Sequence, residues 1–264
     1  MSVSTSRPSV NVPAPAAVDV RYDGRTAAEL AALLGVRAVE LFDEVGSTLD
    51  VAHARAAAGA AAGTLVLADA QTAGRGRQGR SWVSEPGAGI WLTLIERPTD
   101  PSAVDVLSLR LGLHAARALD ALAPTAIGLK WPNDLYVQGR KLAGILVEAR
   151  WREGAIDWIA VGFGINVRAP RAMPDAAALD AGTSRLDALA RLVPALRAAA
   201  RETGPLRADE RAAFAERDIA HGRRCTAPVQ GVVAGIDASG ALVVNTDAGP
   251  RAVRAGSLVL QEDV

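Results

Sequence analysis

Between residues 127 and 162 the sequence reads as four extended runs, 127–130, 135–137, 141–149 and 157–162, separated only by short turns. Strands this closely spaced, with helical segments before and after them, indicate a mixed sheet of the α+β class and not a strictly alternating doubly wound one. Further strands are expected over 39–43, over Thr-Leu-Val-Leu-Ala-Asp-Ala at 64–70, and over 90–96, where β-branched and aromatic residues dominate. Thr26-Ala27-Ala28-Glu29 is a capping-box pattern opening a helix to Leu34 that Gly35 closes. A second helix starts near Ser47 or Thr48, and a long amphipathic one covers 102–122 with Val106, Leu109 and Leu113 on one face. Residues 184–216 read as helical, with Pro194 interrupting or starting one helix. From Gly222 the texture changes to short apolar runs with Gly, Asp and Asn turns, the pattern of a small β-barrel docked on the larger domain. The expected organisation is therefore a disordered segment over 1–24, a main domain over 25–220 and a β-barrel over 221–264.

The 264 residues are 50% hydrophobic and carry no net charge, so a core can be buried and no global field draws the chain onto nucleic acid. Binding of anions must be local. The one cysteine, Cys225, permits neither a disulfide framework nor a cysteine metal site, which fits a reducing cytoplasm. No terminal apolar run is long enough to span a bilayer, and the Ser-, Pro- and Ala-rich start lacks a secretory core. Neither a nucleic acid nor a membrane is expected as a partner.

Against this background one bias stands out: of 29 basic residues only Lys130 and Lys141 are lysines. Lysine is a compact charge on a flexible stem, whereas arginine is a planar fork. The two close a strand and open the next around Trp131-Pro132-Asn133-Asp134, which would bring both ammonium groups to one rim of the sheet. Read without a ligand, Asn133 and Asp134 would be a simple Asx turn. Earlier in the chain, Gly74-Arg75-Gly76-Arg77-Gln78-Gly79-Arg80 follows directly on a strand. Its glycines allow close backbone approach and its arginines supply donor forks for phosphate or carboxylate. A nucleic-acid-binding Arg-Gly tract would repeat in polar, disordered sequence; this copy is single, tied to a core strand and followed by Trp82. Two lysines, several arginines and one aspartate can hold two anions together, which is the physical problem when a carboxylate must attack the α-phosphate of ATP. His53, His114 and His221 have no Ser or Cys motif nearby and read as structural.

Together these segments resemble the biotin protein ligases. The matching pieces are Gly46-Ser47-Thr48, Gln71 to Arg80 with Trp82, Lys130 to Asp134, Arg140-Lys141-Leu142-Ala143-Gly144, and Gly162-Phe163-Gly164-Ile165-Asn166-Val167, in the family's order over about 45–167. The resemblance implies a fold like that of class II aminoacyl-tRNA synthetases and biotin ligases, with an SH3-like C-terminal module. It implies a two-step reaction in which biotin and MgATP give biotinyl-5′-adenylate, and a lysine of a biotin carboxyl carrier domain of an acyl-CoA carboxylase then takes the biotin. Carried over by motif, Ser47, Thr48, Gln71, Gly74, Arg75, Gly76, Arg77, Lys141 and Gly144 would bind biotin. Arg77, Arg80, Trp82, Lys130, Asn133, Asp134 and Asn166 would bind ATP and the adenylate, with Asp134 as a candidate ligand of Mg2+. Lys141 and Arg77 would be catalytic.

Two departures are visible. Leu49 follows the Ser-Thr pair where the family often has a polar residue such as Asn, which leaves Ser47 and Thr48 with more of the polar recognition. The stretch before Val45 carries one short helix and no basic recognition face, so the winged helix-turn-helix of bifunctional members does not fit it and a monofunctional ligase is expected. The competing readings are a lipoate or octanoate ligase or transferase, whose family lacks the Gly-Arg-Gly-Arg-x-Gly-Arg loop, and a non-catalytic sensor of biotin or nucleotide.

Overall fold

The computed structural model describes residues 20–98, 100–173 and 175–261. The chain runs through α1 (Ala27–Leu34), β1 (Ala38–Val45), α2 (Thr48–Ala57), β2 (Thr64–Gln71), β3 (Gly89–Glu96) and α3 (Leu107–Leu119). It continues through β4 (Gly128–Lys130), β5 (Asp134–Val137), β6 (Arg140–Arg152), β7 (Ala155–Asn166), α4 (Arg185–Arg201) and α5 (Ala208–Ala215). Five short strands finish it: β8 (Arg224–Ala227), β9 (Gly231–Ile236), β10 (Leu242–Thr246), β11 (Gly249–Val253) and β12 (Val259–Leu260).

The main sheet has the order β1-β2-β3-β7-β6-β5-β4. Only β1 and β2 are parallel, joined across α2; the other neighbours are antiparallel, as the short turns require. Alternation along the strands sorts side chains to two faces. Leu65, Leu67, Ile90, Leu92 and Leu94 join one cluster with residues of α1, α3 and α4. Val66, Ala68 and Ile95 join the other with Val51, Ala52 and Ala56 of α2. Covered on both faces, β3 is buried at every position, which explains its unbroken apolar run.

Local signals hold at α1, where both capping-box bonds of Thr26 and Glu29 are present and Gly35 is left-handed. The helix expected over 102–122 is divided: Pro101–Val106 is a 3-10 turn capped by Asp100, and only Leu107–Leu119 is α-helical. Pro194 neither starts nor breaks a helix, since α4 runs through it. Buried Leu192, Val193 and Leu196 hold that stretch on the core, and packing outweighs the lost backbone donor. In place of a closed barrel, the SH3-like C-terminal module is a five-stranded antiparallel sheet, β11-β10-β9-β8-β12, with β11 and β12 as its edges. It docks where Trp131 Nε1 donates to Gly240 O at 3.0 Å. Residues 1–19, most of the segment expected to be disordered, lie outside the described residues. Tyr22, inside that segment, is buried and stacked beneath the Arg185 guanidinium, so the folded body includes residues before Arg25. Among the described residues no helix is long and apolar enough to cross a membrane.

Candidate functional site

Strand register creates a trough on the α2 face of the sheet. Trp91 pairs with Gly164, Gly164 with Gly144, Gly144 with Asp134 and Asp134 with Lys130, giving one row across β3, β7, β6, β5 and β4. Two glycines in the middle of that row leave the floor bare. Trp82 lies in the gap: a Cβ at Gly164 would stand 2.6 Å from Trp82 Nε1, and one at Gly144 would stand 3.0 Å from Trp82 Cζ3. Gly164→Ala is therefore expected to expel the indole and weaken docking of the loop that carries it, by about 1–3 kcal/mol. The checks are a red shift of tryptophan emission and faster tryptic cleavage after Arg77 and Arg80. Wild-type emission and cleavage would place Trp82 elsewhere.

The same register turns Lys141 toward the trough. Regular alternation would put residues 141 and 144 on opposite faces. A bulge opposite Leu135 and Tyr136 lets Lys141 pair with Tyr136 although Ala143 pairs with Leu135, so Lys141 shares the face of Asp134 and Gly144. Its Nζ lies 2.7 Å from Asp134 Oδ1 and 5.2 Å from the centre of the Trp82 ring. Lys130 sits at the far end of the row with Nζ 5.6 Å from the Tyr136 ring. Burial pushes its ammonium below the usual lysine range, and Asp134 partly offsets this. Arg77 Nη1 donates to Asn133 Oδ1 at 3.3 Å, and Asn133 Nδ2 donates to Ile145 O at 2.6 Å, so this turn is tied both to the loop and to β6.

At the start of α2, Gln71 Oε1 accepts from Thr48 N at 2.9 Å and from Thr48 Oγ1 at 3.1 Å, and Gln71 Nε2 donates to Ser84 Oγ at 2.8 Å. Ser47 occupies the N-cap but its hydroxyl makes no capping bond. It is buried, and it has no hydrogen-bond partner among the described residues. Among the described residues six buried side-chain polar atoms have no hydrogen-bond partner, and three belong to residues that line this one pocket: Ser47 Oγ and Trp82 Nε1, which have no partner of any kind, and Asp134 Oδ1, which is ion-paired with Lys141 at 2.7 Å. Buried polar groups are rarely left unpaired, so their gathering at one cavity points to a ligand that completes them.

The Gly-Arg segment is folded as a short hairpin. Arg75 bridges Ser81, Gly76 N donates to Arg80 O at 2.7 Å, and Trp82 N donates to Gly74 O at 2.8 Å. Gly74 is pressed behind it, where a Cβ would meet Trp82 O at 2.4 Å. Arg80 reaches away to Ser257 Oγ at 3.0 Å, and that hydroxyl donates to Gln78 Oε1 at 2.9 Å, linking the loop to the C-terminal sheet.

Of the residues expected from sequence, Ser47, Thr48, Gln71, Arg75, Gly76, Arg77, Arg80, Trp82, Asn133, Asp134, Lys141 and Gly144 line the pocket. Gly74 and Lys130 do not. Asn166 lines an adjoining apolar recess with Trp82, Lys141, Pro170 and Met173, and its amide donates to Ala177 O at 3.0 Å. Leu92, Ile145, Leu146, Gly162, Phe163 and Gly164 also line the pocket and were not expected. Alternating glycines at 162 and 164 within a strand were the available signal, since such glycines mark close approach.

Comparison with known proteins agrees with this geometry. The profile of the biotin/lipoate A/B protein ligase family matches residues 47–166, and that of the biotin protein ligase C-terminal domain matches residues 221–261. The bifunctional ligase/repressor of Bacillus spizizenii is 42% identical over 47% of this chain and 39% of its own length. A biotin–[acetyl-CoA-carboxylase] ligase of Mycobacterium tuberculosis is 41% identical over 58% of this chain and 59% of its own. The chain thus matches less than two thirds of the length of these relatives. A biotin protein ligase of Aquifex aeolicus, solved in complex with biotin and ATP, superposes with a TM-score of 0.67 at 26% identity, over 85% of this chain and 99% of that one.

Proposed function

Because the chain carries the fold and both domains of the biotin protein ligases, we propose that it activates biotin with ATP and transfers it to a lysine of a biotin carboxyl carrier domain of an acyl-CoA carboxylase. The supporting observation is the pair of unpartnered buried polar atoms, Ser47 Oγ and Trp82 Nε1, in a pocket that also holds the Lys141–Asp134 ion pair. In the first step a biotin carboxylate oxygen bonds to the α-phosphorus of ATP and the bond to the β-phosphate oxygen breaks, releasing pyrophosphate. In the second, the carrier lysine attacks the acyl carbon, its proton passes to solvent and AMP leaves.

The reaction needs no nucleophile from the chain, because the attacking groups belong to the substrates. The chain's task is to bring two anions together and to disperse the charge that develops. The Lys141 ammonium, steered by Asp134 and Trp82, is suited to contact carboxylate and phosphate oxygens together. Arg77 and Arg80 add guanidinium charge on the loop side, and Lys130 extends the row. Ser47 and Thr48 offer hydroxyls to the ureido ring, and Gly144 leaves room for the tail. The apolar recess of Asn166, Pro170 and Met173 beside Lys141 suits the nucleotide base.

Asp134 does not fit a resident magnesium site. One of its oxygens faces Lys141, and among the described residues no group of three His, Cys, Asp or Glu side chains could hold a metal. Magnesium would arrive on the phosphates of ATP, as part of that substrate. The reaction fits a cytoplasmic protein.

Transfer of biotin to a purified carrier domain tests the acceptor, with lipoic acid as the competing acid. Biotin transfer alone supports the reading; lipoyl transfer alone overturns it. Ser47→Ala is expected to weaken biotin binding by the value of one hydrogen bond, about 0.5–1.5 kcal/mol, while thermal stability stays level or rises because an unsatisfied polar atom is removed. Wild-type affinity in that variant would remove Ser47 from the biotin contacts.

A further inference from the structure

Arg75 lines the pocket, but its guanidinium is held by the protein. Its Nη2 lies 3.1 Å from Asp50 Oδ1 on α2 and 3.1 Å from Glu148 Oε2 on β6. The same Glu148 oxygen lies 2.7 Å from His53 Nε2. Trp158 Nε1, on β7, contacts His53 Nδ1 at 3.0 Å. An indole nitrogen can only donate, so His53 Nδ1 is the acceptor and the hydrogen of the neutral ring sits on Nε2, where it is donated to Glu148. That hydrogen bond, together with Arg75, holds the Glu148 carboxyl below the usual range against its partial burial. Glu148 is thus oriented by His53 as well as by Arg75.

We propose that Asp50, Glu148 and His53 are positioning residues that fasten the Gly-Arg loop over the pocket through Arg75, and so retain the acyl-adenylate between the two half-reactions. The proposal rests on the ligase reading above. A mixed anhydride is open to hydrolysis, so a loop that opens freely between steps would waste it. Glu148 of the main sheet holds the loop through Arg75, and Ser257, between β11 and β12, holds it through Arg80. Single ion pairs at this exposure contribute little. Here one guanidinium is shared by carboxylates from two elements, and one of those is already oriented by His53, so less side-chain freedom is lost on pairing.

Glu148→Gln keeps the shape and removes the charge, and Asp50→Asn does the same on α2. In each the release rate of biotinyl-5′-adenylate is expected to rise several-fold, and KM for biotin to rise by up to about tenfold with kcat changing less than about threefold, the split expected of a hydrogen bond between charged groups that acts on retention. Arg75→Lys should recover part of what Arg75→Ala loses. The effects of Arg75→Ala and Glu148→Gln should be less than additive when combined. Release rates within twofold of wild type in both charge-neutral variants, or full additivity, would overturn the proposal. Tryptic cleavage after Arg77 in the ligand-free protein reads the fastening without the chemistry and should be several-fold faster in both variants; equal rates would also overturn it. If wild type forms no adenylate while loop cleavage still responds, the ligase reading fails and the fastening stands. Should Glu148→Gln not fold, judged by its thermal midpoint, Asp50→Asn carries the same comparison.

Discussion

Lys141→Ala should lower the rate of biotin activation by about two to three orders of magnitude, the usual loss when a group that stabilises developing charge is removed. The expectation follows from where the ammonium sits. It is within 2.7 Å of Asp134, beside the Trp82 ring, and turned into the trough by the bulge in β6. Lys141→Arg retains charge but replaces a compact cation with a wider planar fork between a carboxylate and an indole, and should still lose about tenfold or more. Steady-state pyrophosphate release measures both. Activity within threefold of wild type in Lys141→Ala would remove this lysine from the reaction centre.

Glu210→Ala should destabilise the fold by about 3–5 kcal/mol, since it leaves a buried guanidinium without its partner. Arg110 on α3 is fully buried and Glu210 on α5 is 3% exposed; Arg110 Nε and Nη2 meet the two carboxylate oxygens at 2.6 and 3.1 Å. Burial alone would raise the Glu210 carboxyl, but Arg110 and the Arg207 backbone amide outweigh it and hold it low. A carboxyl depressed on folding stabilises the native state above its unfolded value, and that stability is lost as pH falls through the folded value. Urea unfolding should therefore show the penalty of Glu210→Ala at neutral pH and a smaller one in acid. Replacing both partners, with Arg110→Met and Glu210→Leu together, should cost less than Glu210→Ala alone. A loss below about 1 kcal/mol in the single variant would contradict the assignment.

Sequence patterns carried the strands, the mixed sheet and most of the pocket because those features are local. A capping box, a β-branched run or a Gly-Arg loop after a strand is written in consecutive residues. What could not be read is cross-strand. The row from Trp91 through Gly164 and Gly144 to Asp134 and Lys130 depends on register among five strands, and the turn of Lys141 into the pocket depends on one extra residue in β6. Arg75 carried the sequence signal of a ligand-binding arginine, yet Asp50 and Glu148 claim its guanidinium from elements distant in the chain. Asn166 matched a nucleotide motif but lies in the adjoining recess with its amide on Ala177. The Arg110–Glu210 pair joins positions 100 residues apart, and nothing local marks either as buried.

The most direct test is pyrophosphate release from ATP by the purified wild-type protein, measured with and without biotin and without any carrier domain. A stoichiometric burst of pyrophosphate that requires biotin and disappears in Lys141→Ala is expected. Release that ignores biotin, or none at all in its presence, would contradict it.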